Sequence, residues 1–165
     1  MSKKLIEQEI LEQHAYNLLA ERGVSIEEIA TIVYELQAPY VKDLTMEECI
    51  HNLKMVMKKR EVQNAVITGI EIDIAAEKGV FSPTLSDLLM RDESLYGIDE
   101  ILVLSIVNVY GSIGMTNFGY VDKIKPGIIG ELNSQKGEKC NTFIDDVVGA
   151  LAAAAASRIA HSQTK

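Results

Sequence analysis

Asn141-Thr142-Phe143-Ile144-Asp145-Asp146-Val147-Val148-Gly149-Ala150-Leu151, continued by the five alanines 152–156, is the stretch whose reading decides the fold. Alanine is the strongest helix former and β-branched residues are few here, so the segment reads as a helix from about Thr142 to Ala160. It is apolar all the way round, which places it inside the molecule with other helices packed on every side. Short alanine side chains let those neighbours come close. Two adjacent carboxylates, Asp145 and Asp146, then stand where a buried core meets the start of a helix. A carboxylate in such a place must be hydrated, capped, ion-paired or metal-bound, because burying it alone is costly.

Outward from that helix the rest of the chain also reads as α. Residues 3 to 22 place Leu5, Ile6, Ile10, Leu11, Ala15, Leu18 and Leu19 at helical spacing, with Gly23 as the stop. Ser25-Ile26-Glu27-Glu28 and Thr45-Met46-Glu47-Glu48 are capping boxes. The first opens a helix that runs to about Gln37 and ends before Pro39; the second opens one with Cys49, Leu53, Val56 and Met57 turned inward. Lys58-Lys59-Arg60 reads as a break or a solvated face, with a phosphate-facing patch as the sharper alternative. A further helix spans about 62 to 78. Ser82-Pro83 starts a short one that ends near Met90. Ile101 to Val107 could be a buried strand, but no second strand-like run exists to pair with it, so helix is expected. Gly111 and Gly114 read as helix termination, since no Gly-Lys-Ser/Thr follows to make a phosphate loop. Ser134 to Glu138 reads as a polar loop and His161 to Lys165 as a frayed tail. The expectation is a single all-α domain, residues 1–165, with the C-terminal Ala-rich helix surrounded by about five to seven others.

A hydrophobic content of 47% excludes disorder, and a net charge of -8 argues against a nucleic-acid-binding protein, which needs a basic face. The two cysteines, Cys49 and Cys140, read as free thiols of a cytoplasmic protein. No run is read as reaching the roughly 18 apolar residues of a membrane span. His14, His51 and His161 lack ligand spacing.

Three acidic clusters remain: Asp99-Glu100, Asp122 beside Lys123 and Lys125, and Asp145-Asp146. Each has an ordinary explanation. Thr142-x-x-Asp145 fits a capping box, Asp99 and Glu100 suit a first helical turn, and Asp122 can pair with a neighbouring lysine. Adjacent helical residues diverge by about 100°, however, so Asp145 and Asp146 cannot serve one contact. If the clusters converge, four or five hard oxygens surround one cavity, a donor set suited to Mg²⁺ or Mn²⁺. Lys123 and Lys125 would then hold a phosphate.

At these residues the chain resembles the phosphatidylglycerophosphatase A family. Gly97-Ile98-Asp99-Glu100 is similar to the family's hydrophobic-Asp-Glu block. Phe118 to Pro126 is similar to its Asp-x-x-Lys-Pro block, and Ile144 to Ala150 to its Asp-Asp helix; order and spacing agree over roughly residues 92 to 155. The resemblance implies a Mg²⁺-dependent phosphatase that converts phosphatidylglycerophosphate to phosphatidylglycerol. It implies Asp99, Glu100, Asp145 and Asp146 as catalytic candidates, Asp99, Glu100, Asp122 and Asp146 as metal candidates, and Lys125 as the phosphate-binding candidate. The family's N-terminal Gly- and Pro-rich block has no counterpart here, and the first 90 residues resemble a soluble branch. A lipid substrate implies contact with a membrane surface, and a soluble phosphate ester is the alternative substrate. A non-catalytic helical binding module is the reading from a different class. An exposed apolar face would suit a homodimer.

Overall fold

The structure, a computed structural model, describes residues 3–163, with side chains from Glu7 onward. Among them are nine α-helices and one 3-10 turn. They run in the order α1 (Lys3–Glu21), α2 (Ile26–Gln37), α3 (Met46–Met57), α4 (Arg60–Glu77), α5 (Pro83–Met90), α6 (Ile98–Val107), the 3-10 turn (Asn108–Tyr110), α7 (Gly111–Ile124), α8 (Ile128–Ser134) and α9 (Ile144–Ser162). The fold is all-α, as expected. Six of the other helices pack on α9, within the five to seven expected.

Local signals set most boundaries. Ser25 accepts from the Glu28 N–H and Glu28 reaches back to the Ser25 N–H; Thr45 and Glu48 repeat the arrangement. Ser82 caps α5, with Pro83 at its first position. Lys58 and Lys59 lie in the break between α3 and α4, and the Lys59 ammonium sits 5.5 Å above the Tyr110 ring, so the basic run is a connector. Ile10, expected on the buried stripe of α1, is exposed, while Ala15, Leu18 and Leu19 are buried. The Leu5 and Ile6 side chains lie outside the described residues.

Helix α9 is the centre of the molecule. Fifteen of its 19 residues are buried, and α2, α3, α4, α6, α7 and α8 all pack on it. Ala150 and Ala152 to Ala156 have no exposed surface. A Cβ at Gly149 would meet Val121 at 3.4 Å and Phe118 at 3.6 Å, which is how closely α7 approaches. With no spare volume, Ala153→Leu is expected to cost about 1–3 kcal/mol by overpacking. Thermal unfolding would show it as a fall of roughly 3–10 °C, and an unchanged midpoint would contradict this packing. The helix continues to Ser162, so His161 belongs to it and not to a frayed tail; Thr164 and Lys165 lie outside the described residues.

Helices α6 and α7 form a pair that returns on itself. Gly111 takes φ 71° between the 3-10 turn and α7. Gly114, expected as a helix terminator, lies inside α7, where an added Cβ would stand 2.9 Å from the Val107 carbonyl oxygen. The segment Ile98–Ile124 is long and apolar enough to cross a membrane, contrary to the expectation that no such run exists. In this fold the turn interrupts it, and Val103, Ile106, Val107, Phe118 and Val121 are buried, while Ile101, Ile113, Tyr120 and Ile124 stay exposed.

Candidate functional site

The acidic clusters meet because three helix ends meet. Asp99 and Glu100 stand in the first turn of α6, Asp145 and Asp146 in the first turn of α9, and Asp122 in the last turn of α7. Both helix N-termini present partial positive charge, which favours carboxylates there and favours an incoming anion. Asp99, Glu100, Asp122, Lys125, Asp145 and Asp146 all line one cavity of about 160 Å³. All five carboxylates singled out from the sequence are therefore brought together.

Lys125 is placed by its backbone. It ends α7 in the left-handed conformation (φ 51°, ψ 55°), and Pro126 follows. Its ammonium donates to Asp122 Oδ1 at 2.7 Å and to Asp145 Oδ2 at 3.2 Å. Despite the opposing cost of burial, these carboxylates hold its pKa above the ordinary lysine value. Lys123 departs from expectation. It is exposed and outside the cavity lining, because one helical position beyond Asp122 turns its side chain about 100° round α7. A different lysine enters instead. Lys136, from the polar loop after α8, lines the cavity with its Nζ 2.8 Å from Asp92 Oδ2. Sequence reading singled out neither Asp92 nor Lys136, since each lies in a polar connector of the kind that ordinarily faces solvent.

Asp99, Asp145 and Asp146 are buried, whereas Glu100 is exposed at the rim. Burial raises the pKa of all three buried acids. Lys125 pulls Asp145 back toward the ionised form. Asp146 faces Asp145 and Asp99, and the two negative neighbours raise it further; it is hydrogen-bonded to Asp99. Desolvation comes first for Glu100 too, with the Asp122 charge next.

The expected capping box at Thr142 is not formed. The Thr142 hydroxyl donates to the Leu89 carbonyl oxygen at 2.6 Å, and α9 carries no side-chain cap from its own segment. Asp73, in the middle of α4, accepts the N–H groups of Phe143 and Ile144 instead. Burial pushes Asp73 up to about 7, against the pull of those N–H groups, the Cys140 thiol and Arg22.

A family model described as phosphatidylglycerophosphatase A matches residues 19–161. The chain belongs to the phosphatidylglycerophosphatase A family. The match extends well before the three acidic blocks, so α2 to α5 are part of the family likeness. A protein of unknown function from Bacillus stearothermophilus is 61% identical, covers 92% of this chain and 94% of its own, and superposes with a TM-score of 0.88. The low temperature requirement C protein from Listeria monocytogenes is 55% identical over 94% of this chain and 98% of its own, with a TM-score of 0.91. The Bacillus subtilis protein YutG is 54% identical over 92% of this chain and 91% of its own. All the acidic residues of the cavity lie within the part matched to the phosphatidylglycerophosphatase A family.

Whether these residues suit a divalent cation rests on their chemistry. The donors are hard carboxylate oxygens, and the buried Asp99–Asp146 pair resists double ionisation until a positive charge arrives, which suits Mg²⁺ or Mn²⁺. As they stand, no three carboxylate, imidazole or thiol groups among the described residues are gathered closely enough to hold an ion. Lys125 occupies Asp122 and Asp145, and a hydrogen bond joins Asp99 to Asp146.

Proposed function

We propose that the protein is a divalent-metal-dependent phosphatase acting on a phosphate monoester, by family likeness phosphatidylglycerophosphate. The observation that supports the reading is the convergence of seven carboxylates, Asp92 and Glu93 among them, and two lysines on one small cavity between the N-termini of α6 and α9. A cavity of about 160 Å³ suits a phosphate group with a few waters, so the remainder of a lipid substrate would stay outside.

Asp99, Glu100 and Asp146 would hold the cation, Mg²⁺ or Mn²⁺. When bound, such an ion polarises a phosphoryl oxygen and neutralises charge on it. Lys125 and Lys136 would receive the phosphate oxygens as point charges, Lys136 leaving Asp92 to do so. Hydrolysis breaks the phosphorus–oxygen bond to the alcohol and places the water oxygen on phosphorus, so one group must take a proton and another must give one. Asp145, drawn toward ionisation by Lys125, suits the accepting role. With Asp99 and Asp146 ionised on the cation, the proton for the departing alcohol would come from water in the open cavity.

The test is phosphate release from phosphatidylglycerophosphate in detergent micelles, with glycerol 3-phosphate as the soluble arm. Release that requires Mg²⁺ or Mn²⁺ and stops with chelator is expected. The ratio between the two arms assigns the lipid or the soluble ester. No release from either, with either ion, would overturn the reading in favour of a binding module that keeps the fold.

A further inference from the structure

The start of α9 is held by residues far from it in sequence. Asp73 is fully buried; both its carboxylate oxygens accept the Phe143 N–H, at 3.0 and 3.1 Å, and Oδ2 also accepts the Ile144 N–H at 2.9 Å. The Cys140 thiol donates to Oδ1 at 3.4 Å. One turn further along α4, Glu77 accepts the Cys140 N–H at 2.8 Å and forms a two-pronged pair with Arg22 at 2.6 and 3.0 Å. Arg22 also donates to the Cys140 carbonyl oxygen at 2.7 Å and to Asn141 Oδ1 at 2.9 Å. The strap of residues 140–144 is thus held by Arg22, Asp73 and Glu77 together.

We infer that Asp73 is a positioning residue for the acidic cavity: by capping α9 from α4 it sets where Asp145 and Asp146 stand. The inference rests on the phosphatase reading above. The physical reason is lever-like. Asp145 and Asp146 are the second and third residues of α9, directly after the two N–H groups that Asp73 holds. A small rotation of that first turn moves both carboxylates together, and sites of this kind tolerate little displacement. The supporting contacts of Arg22, in the turn after α1, and of Glu77 in α4 hold the same strap, so both act on the cavity without entering it. Partners that orient the groups around a metal site matter to affinity even though they never touch the ion.

Asp73→Asn keeps the shape of the side chain but replaces one acceptor with a donor that faces a backbone N–H. In the variant, folded by circular dichroism and studied well below its own melting temperature, Mn²⁺ binding followed by electron paramagnetic resonance is expected to weaken about 10- to 100-fold. The Phe143 and Ile144 amides should exchange with solvent faster. A cap that serves stability alone would lower the melting temperature and leave the Mn²⁺ affinity of the folded protein unchanged, and that result overturns the inference. If Asp73→Asn does not fold, Glu77→Gln takes its place: at least threefold weaker Mn²⁺ binding supports the inference and unchanged binding overturns it. A wild-type chain that holds no Mn²⁺ overturns the phosphatase reading itself, and the positioning role with it.

Discussion

Asp146→Asn is expected to remove Mg²⁺-dependent phosphate release, by about a thousandfold or more, and yet to raise the melting temperature of the metal-free protein. Under the proposed mechanism the variant loses one of the carboxylates that would hold the cation, and with it several kcal/mol of charge stabilisation at the phosphate; about 4 kcal/mol is a thousandfold in rate. Stability moves the other way. Asp146 is buried beside Asp145 and Asp99, and its pKa is raised by desolvation first and by those two charges next. An asparagine carries no charge to desolvate and can still donate to Asp99, as the protonated acid does. Relief of one pKa unit of strain is about 1.4 kcal/mol, or roughly 3–6 °C for a chain of this size. The same shift fixes the pH dependence. A carboxyl whose folded pKa lies above its unfolded value binds extra protons in the folded state at neutral pH. Its contribution is therefore present at mildly acidic pH and is lost as pH rises. Thermal melts in chelator from pH 5 to 8 should fall more steeply for wild type than for Asp146→Asn. Glu77 shifts downward, so its effect is confined to lower pH and leaves this window unaltered. Equal slopes, or an active variant, would contradict the role given to Asp146.

Lys125→Ala should destabilise where Asp146→Asn stabilises. Its ammonium lies 2.7 Å from Asp122 and 3.2 Å from Asp145, whose side chain is only 6% exposed. Removing one partner strands the other charge. The cost is about 2 kcal/mol once the partial exposure of Lys125 is allowed for, or roughly 4–8 °C. Phosphate release should fall about a hundredfold, mostly through weaker substrate binding, since a charge-assisted contact to phosphate is worth about 1.5–3 kcal/mol. Lys123→Ala, on the exposed side of α7, should change neither quantity. Thermal melts and initial rates on the three proteins decide this, and equal losses for the two lysine variants would contradict the placement of Lys125.

The residues that were legible in the sequence are those whose cause is local. Ser25 with Glu28, Thr45 with Glu48, and Ser82 with Pro83 satisfy helix ends within four residues, so the pattern and the structure agree. The alanine run of α9 is legible for the same reason, because a helix apolar on every face has one place to go. Thr142 shows where this fails. It had the spacing of a cap, but a remote carboxylate competes better for the same N–H groups, and the threonine hydroxyl goes to Leu89 instead. A signal for Asp73 did exist. It falls on the stripe Val66, Ile70, Asp73, Glu77, a charge at a core-facing position of α4. Lys123 and Lys125 could not be told apart by composition. The left-handed turn at Lys125 separates them, and nothing before Pro126 marks that turn except the proline itself.

The convergence of the acidic segments on one cation is tested most directly by crystals grown with Mn²⁺ and phosphate, read by the anomalous signal of manganese. The expected result is a manganese peak within coordination distance of Asp99 and Asp146, with phosphate between it and Lys125. Manganese found elsewhere or not at all, with Asp99, Asp122 and Asp146 each solvated separately, would contradict a shared metal site and leave a helical scaffold with ordinary helix ends.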